Sequence, residues 1–91
     1  MVSAPLSQKY LHEVRRRCEE ATKGPWISFL EGRDKLSGES FIGRGQNRVE
    51  DDLYLIGATD ADIEFIAQAR QDIPKLLDEI ERLQKELGLN Q

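Results

Sequence analysis

The stretch "ATKGPWISFL", Ala21 to Leu30, sets the order of elements in this chain. Upstream of it, Ser7 can accept a backbone N–H at a helix start, and Tyr10, Leu11, Val14, Cys18 and Ala21 recur at helical steps. Gly24 and Pro25 end that helix, because glycine tolerates a left-handed cap and proline cannot continue the bonding. "WISFL" then brings aromatic and β-branched residues over a strand's length, with Ile27 and Phe29 on one face and Trp26, Ser28 and Leu30 on the other. The junction turns a helix predicted over 7–22 into a strand that begins with the only tryptophan.

Further along, "EGRDKLSGES" reads as a connecting turn before a short strand, "SFI" at 40–42. "GRGQNRVEDD", 43–52, is a polar loop, and "LYLIG", 53–57, reads as a third strand, so 26–57 is predicted to be a β hairpin or meander. Thr59 is placed to cap a helical region over 60–87, with Asp60 and Asp62 in a first turn that favours carboxylates. Pro74 removes one helical hydrogen bond, and Asp72 can cap a fresh start, which predicts a break or kink near 71–73. The expected fold is α+β in a single domain, 1–91: an N-terminal helix, a small antiparallel sheet of two or three strands, and a long kinked C-terminal helix.

Ile73, Leu76, Ile80, Leu83 and Leu87 alternate steps of three and four, with Asp78–Arg82 and Glu81–Lys85 as i,i+4 pairs outside the stripe. A seam of two heptads is too short to decide between packing within the chain and pairing between chains. For a chain of 91 residues, whose own core is modest, Leu76, Ile80, Leu83 and Leu87 are the predicted interface of a homo-oligomer, a dimer or higher.

With 38% hydrophobic and 33% charged residues the chain has the composition of a folded protein. Its net charge of −4 is uneven: residues 1–24 carry five basic and three acidic side chains, and residues 60–91 carry four and eight. "RRR" at 15–17 is followed directly by Glu19 and Glu20, so there is no basic stripe for duplex nucleic acid. The lone Cys18 offers neither a disulfide nor a thiolate cluster for zinc. The start "MVSAPLSQKY" lacks the pattern of a leader, and no run of 18 apolar residues occurs, so the expected setting is cytoplasmic, in a bacterial or host cytosol, without membrane contact.

No catalytic constellation is legible, and the reading is of a non-enzymatic binding protein without metal or cofactor. His12 stands on a helix with no nucleophile motif beside it. "VEDD" lacks the alternating spacing of a calcium loop. Gly43 and Gly45 with Arg44 and Arg48 could wrap an anion, and Arg33 in "EGRD" could fork onto a phosphate or carboxylate. Trp26, launched from a Gly-Pro corner, serves either as core or as a wall on which a planar ligand stacks. Trp26, Arg33, Arg44, Arg48 and Arg70 are the candidate ligand-binding residues.

"RCEEATKGPW", 17–26, and "DADIEFIAQARQDIPKLLDEIERL", 60–83, together resemble the small bacterial, phage and prophage proteins with the pattern "ATPGPW…DAxFIAxAR", a group similar to the Ead family of lambdoid-phage accessory proteins. Lys23 stands where that pattern often has proline, and Ile63 where it has alanine. The resemblance implies a phage accessory protein that works by binding. One version is an anti-defence sponge that sequesters a small anionic nucleotide signal. The alternative is an immunity or inhibitor protein that blocks a toxin or defence enzyme by protein–protein contact, using the carboxylates of 50–52 and 60–64.

Overall fold

The computed structural model describes residues 6–34, 39–45 and 52–88. The element order is α1 (Gln8–Glu20), β1 (Ile27–Phe29), α2 (Glu31–Asp34), β2 (Phe41–Gly43) and α3 (Asp60–Glu86), an α+β arrangement of an N-terminal helix, a two-stranded antiparallel sheet and a long C-terminal helix. The chain divides into two compact units, Thr22–Asp72 and the combination of Met1–Ala21 with Ile73–Gln91.

In the unit Thr22–Asp72, β1 and β2 pair in the register Ile27↔Gly43, Ser28↔Ile42 and Phe29↔Phe41. Alternation decides which face is covered. Ser28 and Ile42 lie opposite one another and are buried, at 5% and 0% exposure, while Ile27 is 48% exposed. Leu30 and Ile42 join Ile63 and Ala67 of α3 in the core, with Trp26, Leu53, Leu55 and Ala58 packed at its edge. Each large aliphatic side chain so covered contributes about 1.5–3 kcal/mol. On the opposite face the Phe29 and Phe41 rings stack with centroids 5.0 Å apart, and Tyr54 tilts against Phe41 at 5.3 Å.

Three sequence expectations need correction, two in this unit and one in α1. The segment after Leu30 forms α2 rather than a plain turn, its first N–H donating to Ser40 Oγ at 3.0 Å. The third strand over 53–57 is reduced to one bridge, in which Ile42 and Leu53 exchange backbone bonds of 2.9 and 2.8 Å. Beyond Leu53 the chain turns at Ile56 and Gly57, where Gly57 has φ +81°, and Ile56 is fully exposed, so nothing holds an extended strand there. The helix predicted over 7–22 spans Gln8–Glu20, and Ala21 is already extended.

The predicted N-caps at Ser7 and Thr59 are formed, whereas the glycine cap expected at Gly24 is not, since α1 already ends at an extended Ala21 and Gly24 is not in the left-handed region. Ser7 Oγ accepts from Tyr10 N at 3.0 Å. Thr59 Oγ1 accepts from Asp62 N, and Asp62 Oδ2 accepts from Thr59 N, both at 3.0 Å, a reciprocal box with aspartate in the third position. Of the break or kink expected near 71–73, a break is not formed: α3 is one helix from Asp60 to Glu86 with Pro74 inside it. Ending and restarting a helix would orphan several N–H and C=O groups, whereas an internal proline forfeits one bond and strains one turn.

In the other unit α1 runs antiparallel to Ile73–Glu86 of α3. Gln8 Nε2 donates to Gln84 Oε1 at 2.9 Å, and Arg15 meets Asp78 at 3.0 Å and Glu81 at 3.4 Å. The expected Asp78–Arg82 pair is therefore replaced. Arg82 instead holds Glu79 at 2.6 Å and Glu86 at 3.0 Å, one turn to either side of it. Leu11 and Leu77, at 6% and 5% exposure, are the buried apolar residues described in this unit.

Candidate functional site

Thr22 is the first residue of its unit and lies just past the end of α1, where the chain is extended and its polar groups have left the helix. Three side chains converge on it. Trp26 Nε1 donates to its carbonyl oxygen at 3.0 Å, Arg70 Nε donates to the same oxygen at 2.8 Å, and Arg44 Nη1 donates to its hydroxyl at 3.0 Å. Three of the five residues singled out in the sequence thus meet at one corner, supplied by the β1 entry, the residue after β2 and the first half of α3.

Two devices fix this corner. Gln71 Oε1 accepts from Trp26 N at 2.7 Å and its Nε2 donates to Trp26 O at 3.0 Å and to Ala67 O at 3.1 Å, so one amide ties the strand entry to the helix. The Gly24–Pro25 peptide, which is cis, carries the chain from Thr22 to Trp26, and Gly24 lies close enough to Gln71 that an added Cβ would be 3.2 Å from Oε1. Trp26 is half-buried against the core cluster, so its ring serves the core while its edge faces Thr22. Lys23 is exposed beside the two guanidinium groups' shared partner. One bidentate arginine and a neighbouring cation form a common way to hold a phosphate, and here two arginines are anchored by a single threonine.

Arg33 is placed elsewhere. Its Nη2 donates to Ser28 O at 2.6 Å and lies 3.3 Å from Ser28 Oγ, and its Nη1 is 3.7 Å from Glu64. Arg48 and the carboxylates Glu50 and Asp51 lie outside the described residues. A separate recess of about 340 Å³ is lined by Ser40, Tyr54, Leu55, Ile56, Asp60 and Ile63 among others, and includes none of the five candidates. Ser40 Oγ there bridges Glu31 N and Asp60 Oδ1, at 3.0 and 3.1 Å.

Of the predicted oligomer residues, Leu76, Leu83 and Leu87 are 61%, 42% and 70% exposed, and Ile80 is half-buried in a groove shared with α1. Sequence reasoning missed Thr22 and Gln71. The signal for Thr22 was its place between the helix end and the Gly-Pro corner, but Gln71 reads as an ordinary helix-surface residue until the fold brings Trp26 to it.

Among the described residues no group of three His, Cys, Asp or Glu side chains could hold a metal ion, and no helix is long and apolar enough to cross a membrane. Comparison with protein-family models, with curated proteins and with solved structures finds no match.

Proposed function

We propose that the chain is a non-enzymatic binding protein that holds a small phosphate-bearing ligand, of the nucleotide class, at the Thr22 corner. The observation that carries this reading is the convergence of Trp26, Arg44 and Arg70 on one residue. Anchored at Nε, Arg70 can turn its two Nη groups toward an anion while Lys23 adds charge, and the exposed part of the Trp26 ring offers a face to a base. The resemblance of "RCEEATKGPW" and "DADIEFIAQAR" to phage and prophage accessory proteins supports the concrete version, sequestration of a nucleotide signal. Homo-oligomer formation belongs to the same proposal.

A protein-blocking role has its own support. Ile27, Tyr54 and Ile56 are 48%, 54% and 105% exposed in the same unit, an apolar display of the kind used against another protein, and the chain's negative balance suits a basic target.

The test is titration calorimetry of the purified protein against a panel of cyclic and linear mono- and dinucleotides. Lys23→Ala and Arg70→Ala should each weaken binding by about ten- to a hundredfold, since a charge-assisted bond at a partly desolvated site contributes about 1.5–3 kcal/mol. Absence of heat for every nucleotide would overturn the ligand reading in favour of the protein-blocking one.

A further inference from the structure

We propose that the recess beside Ser40 is a second binding site, which takes an arginine or lysine side chain from the surface of a partner protein. The recess, about 340 Å³, belongs to the unit Thr22–Asp72 and is lined by none of the residues of the Thr22 corner. Leu55 and Ile63, half-buried and buried, give it an apolar lining, Tyr54 and Ile56 stand exposed around it, and Glu39 and Asp60 bring two carboxylates. None of the described residues that line it is a lysine or an arginine. The site gives the protein-blocking reading a definite contact and rests on that reading, with no part for a nucleotide.

The charge of the recess is not compensated from within the chain. Ser40 Oγ donates to Asp60 Oδ1 at 3.1 Å and accepts from Glu31 N at 3.0 Å, so a neutral hydroxyl fixes the Asp60 carboxylate and adds no positive charge. Among the described residues, Asp60 Oδ2 and the Glu39 carboxylate have neither a hydrogen-bond nor an ion-pair partner. Tyr54 tilts one side of its ring against Phe41 and remains 54% exposed, which leaves its π face open to a cation. A group that suits all of these surfaces carries a cationic head on an apolar stem. In arginine and lysine the methylenes can lie along Leu55 and Ile63 while the head reaches the carboxylates. An anion is repelled by the same two carboxylates. The apolar flank decides that the basic side chain arrives on a protein. Ile56 is 105% exposed, and a small free amine held by the carboxylates leaves it and Tyr54 wet, whereas a polypeptide that carries the basic side chain covers both.

Amide NMR titration of the full chain tests this with three probes: a blocked Gly-Leu-Arg-Leu-Gly peptide, its citrulline counterpart, and agmatine as a free guanidinium amine. Each is taken to about 10 mM, tenfold above a millimolar dissociation constant. The arginine peptide should shift the amides of Ser40, Ile56 and Gly57 and approach saturation. The citrulline peptide, alike in shape but neutral, and agmatine, which lacks the apolar cover, should each bind about tenfold more weakly or not at all. Glu39→Gln/Asp60→Asn should weaken the arginine peptide by about tenfold, since each exposed carboxylate contributes up to about fivefold. Glu64→Gln removes a carboxylate of α3 that does not line the recess and should leave the affinity unchanged. The citrulline comparison needs no substitution, so it stands even where a variant is destabilised. Equal binding of the citrulline peptide, or full affinity in the double variant, would overturn the proposal by removing charge as the cause. Agmatine binding as tightly as the peptide would overturn it in favour of a small free amine. Shifts gathered around Ile27, or none at all, would overturn the recess as the contact and leave the protein-blocking reading to another surface.

Discussion

Gln71 grips the backbone of Trp26 by both of its polar groups, accepting from the tryptophan N–H at 2.7 Å and donating to its C=O at 3.0 Å. The side chain acts as a neighbouring strand would, on a residue just outside β1. Gln71→Ala removes both partners from a partly buried peptide and should destabilise the protein by about 1–3 kcal/mol. Gln71→Glu should cost at least as much, because it keeps the acceptor but turns a carboxylate toward the carbonyls of Trp26 and Ala67. Urea unfolding followed by Trp26 fluorescence checks both.

Gly43 lies under the Phe29 ring, where an added Cβ would come within 2.9 Å of Cε2. The ring is held in turn by its stack on Phe41, so it cannot swing away without loss. Gly43→Ala should therefore cost about 1–3 kcal/mol, and the cost should shrink in a Phe29→Ala background, where the obstructing ring is gone. A double-mutant cycle of urea midpoints reads the difference, and equal costs in both backgrounds would remove the ring as the cause.

How far the fold could be read from the residues depended on the range of the interaction involved. Ser7 and Thr59 announced both long helices because a cap bonds within three residues of itself. The α+β order followed from the period changing at Gly24-Pro25. By contrast, "LYLIG" has the composition of a strand, yet only Leu53 pairs, because pairing depends on where Ile42 lies and on the turn at Gly57. The arginines were visible as candidates, but what gathers Arg44 and Arg70 is Thr22, 22 and 48 residues away in sequence. Such pairings carry no local pattern.

Pro74 gives the third prediction. Since α3 continues through it, the proline imposes its full helix-interior penalty, which Ala would not. Pro74→Ala should raise stability by about 1–3 kcal/mol and slightly increase helical ellipticity, both readable by circular dichroism during urea unfolding. Unchanged stability would mean that the turn around Pro74 already relieves the clash.

The fourth concerns acid. The Arg82 guanidinium, hydrogen-bonded to Glu79, holds that carboxyl below its usual range, and Glu79 raises Arg82 in return. A depressed carboxylate contributes stability that is fully present above the unfolded value of about 4.3 and is lost as pH falls through the lower folded value. The pair is solvent-exposed, so the effect on global stability is small and the clean measurement is local. Carboxyl carbon NMR should give Glu79 a titration midpoint below that of a free glutamate, and Arg82→Gln should return it toward the ordinary value.

The last prediction separates structural from ligand-facing arginines. Arg33 donates to Ser28 O at 2.6 Å, and Ser28 is 5% exposed on the covered face of β1, whereas its contact with Glu64 is a 3.7 Å pair between half-exposed side chains. The first bond should matter and the second should not, because exposed ion pairs contribute only about 0–1 kcal/mol while a charged donor on a partly buried carbonyl contributes about 1.5–3. Arg33→Ala should therefore lower the urea midpoint, Glu64→Gln should leave it nearly unchanged, and Arg33→Lys should recover little, since an ammonium cannot reproduce the fork that reaches Ser28 O. Calorimetry on the same variants completes the test. Nucleotide affinity should survive Arg33→Ala and fall in Arg70→Ala. Loss of affinity in Arg33→Ala with an unchanged urea midpoint would move the binding site from Thr22 to the α2 side of the sheet.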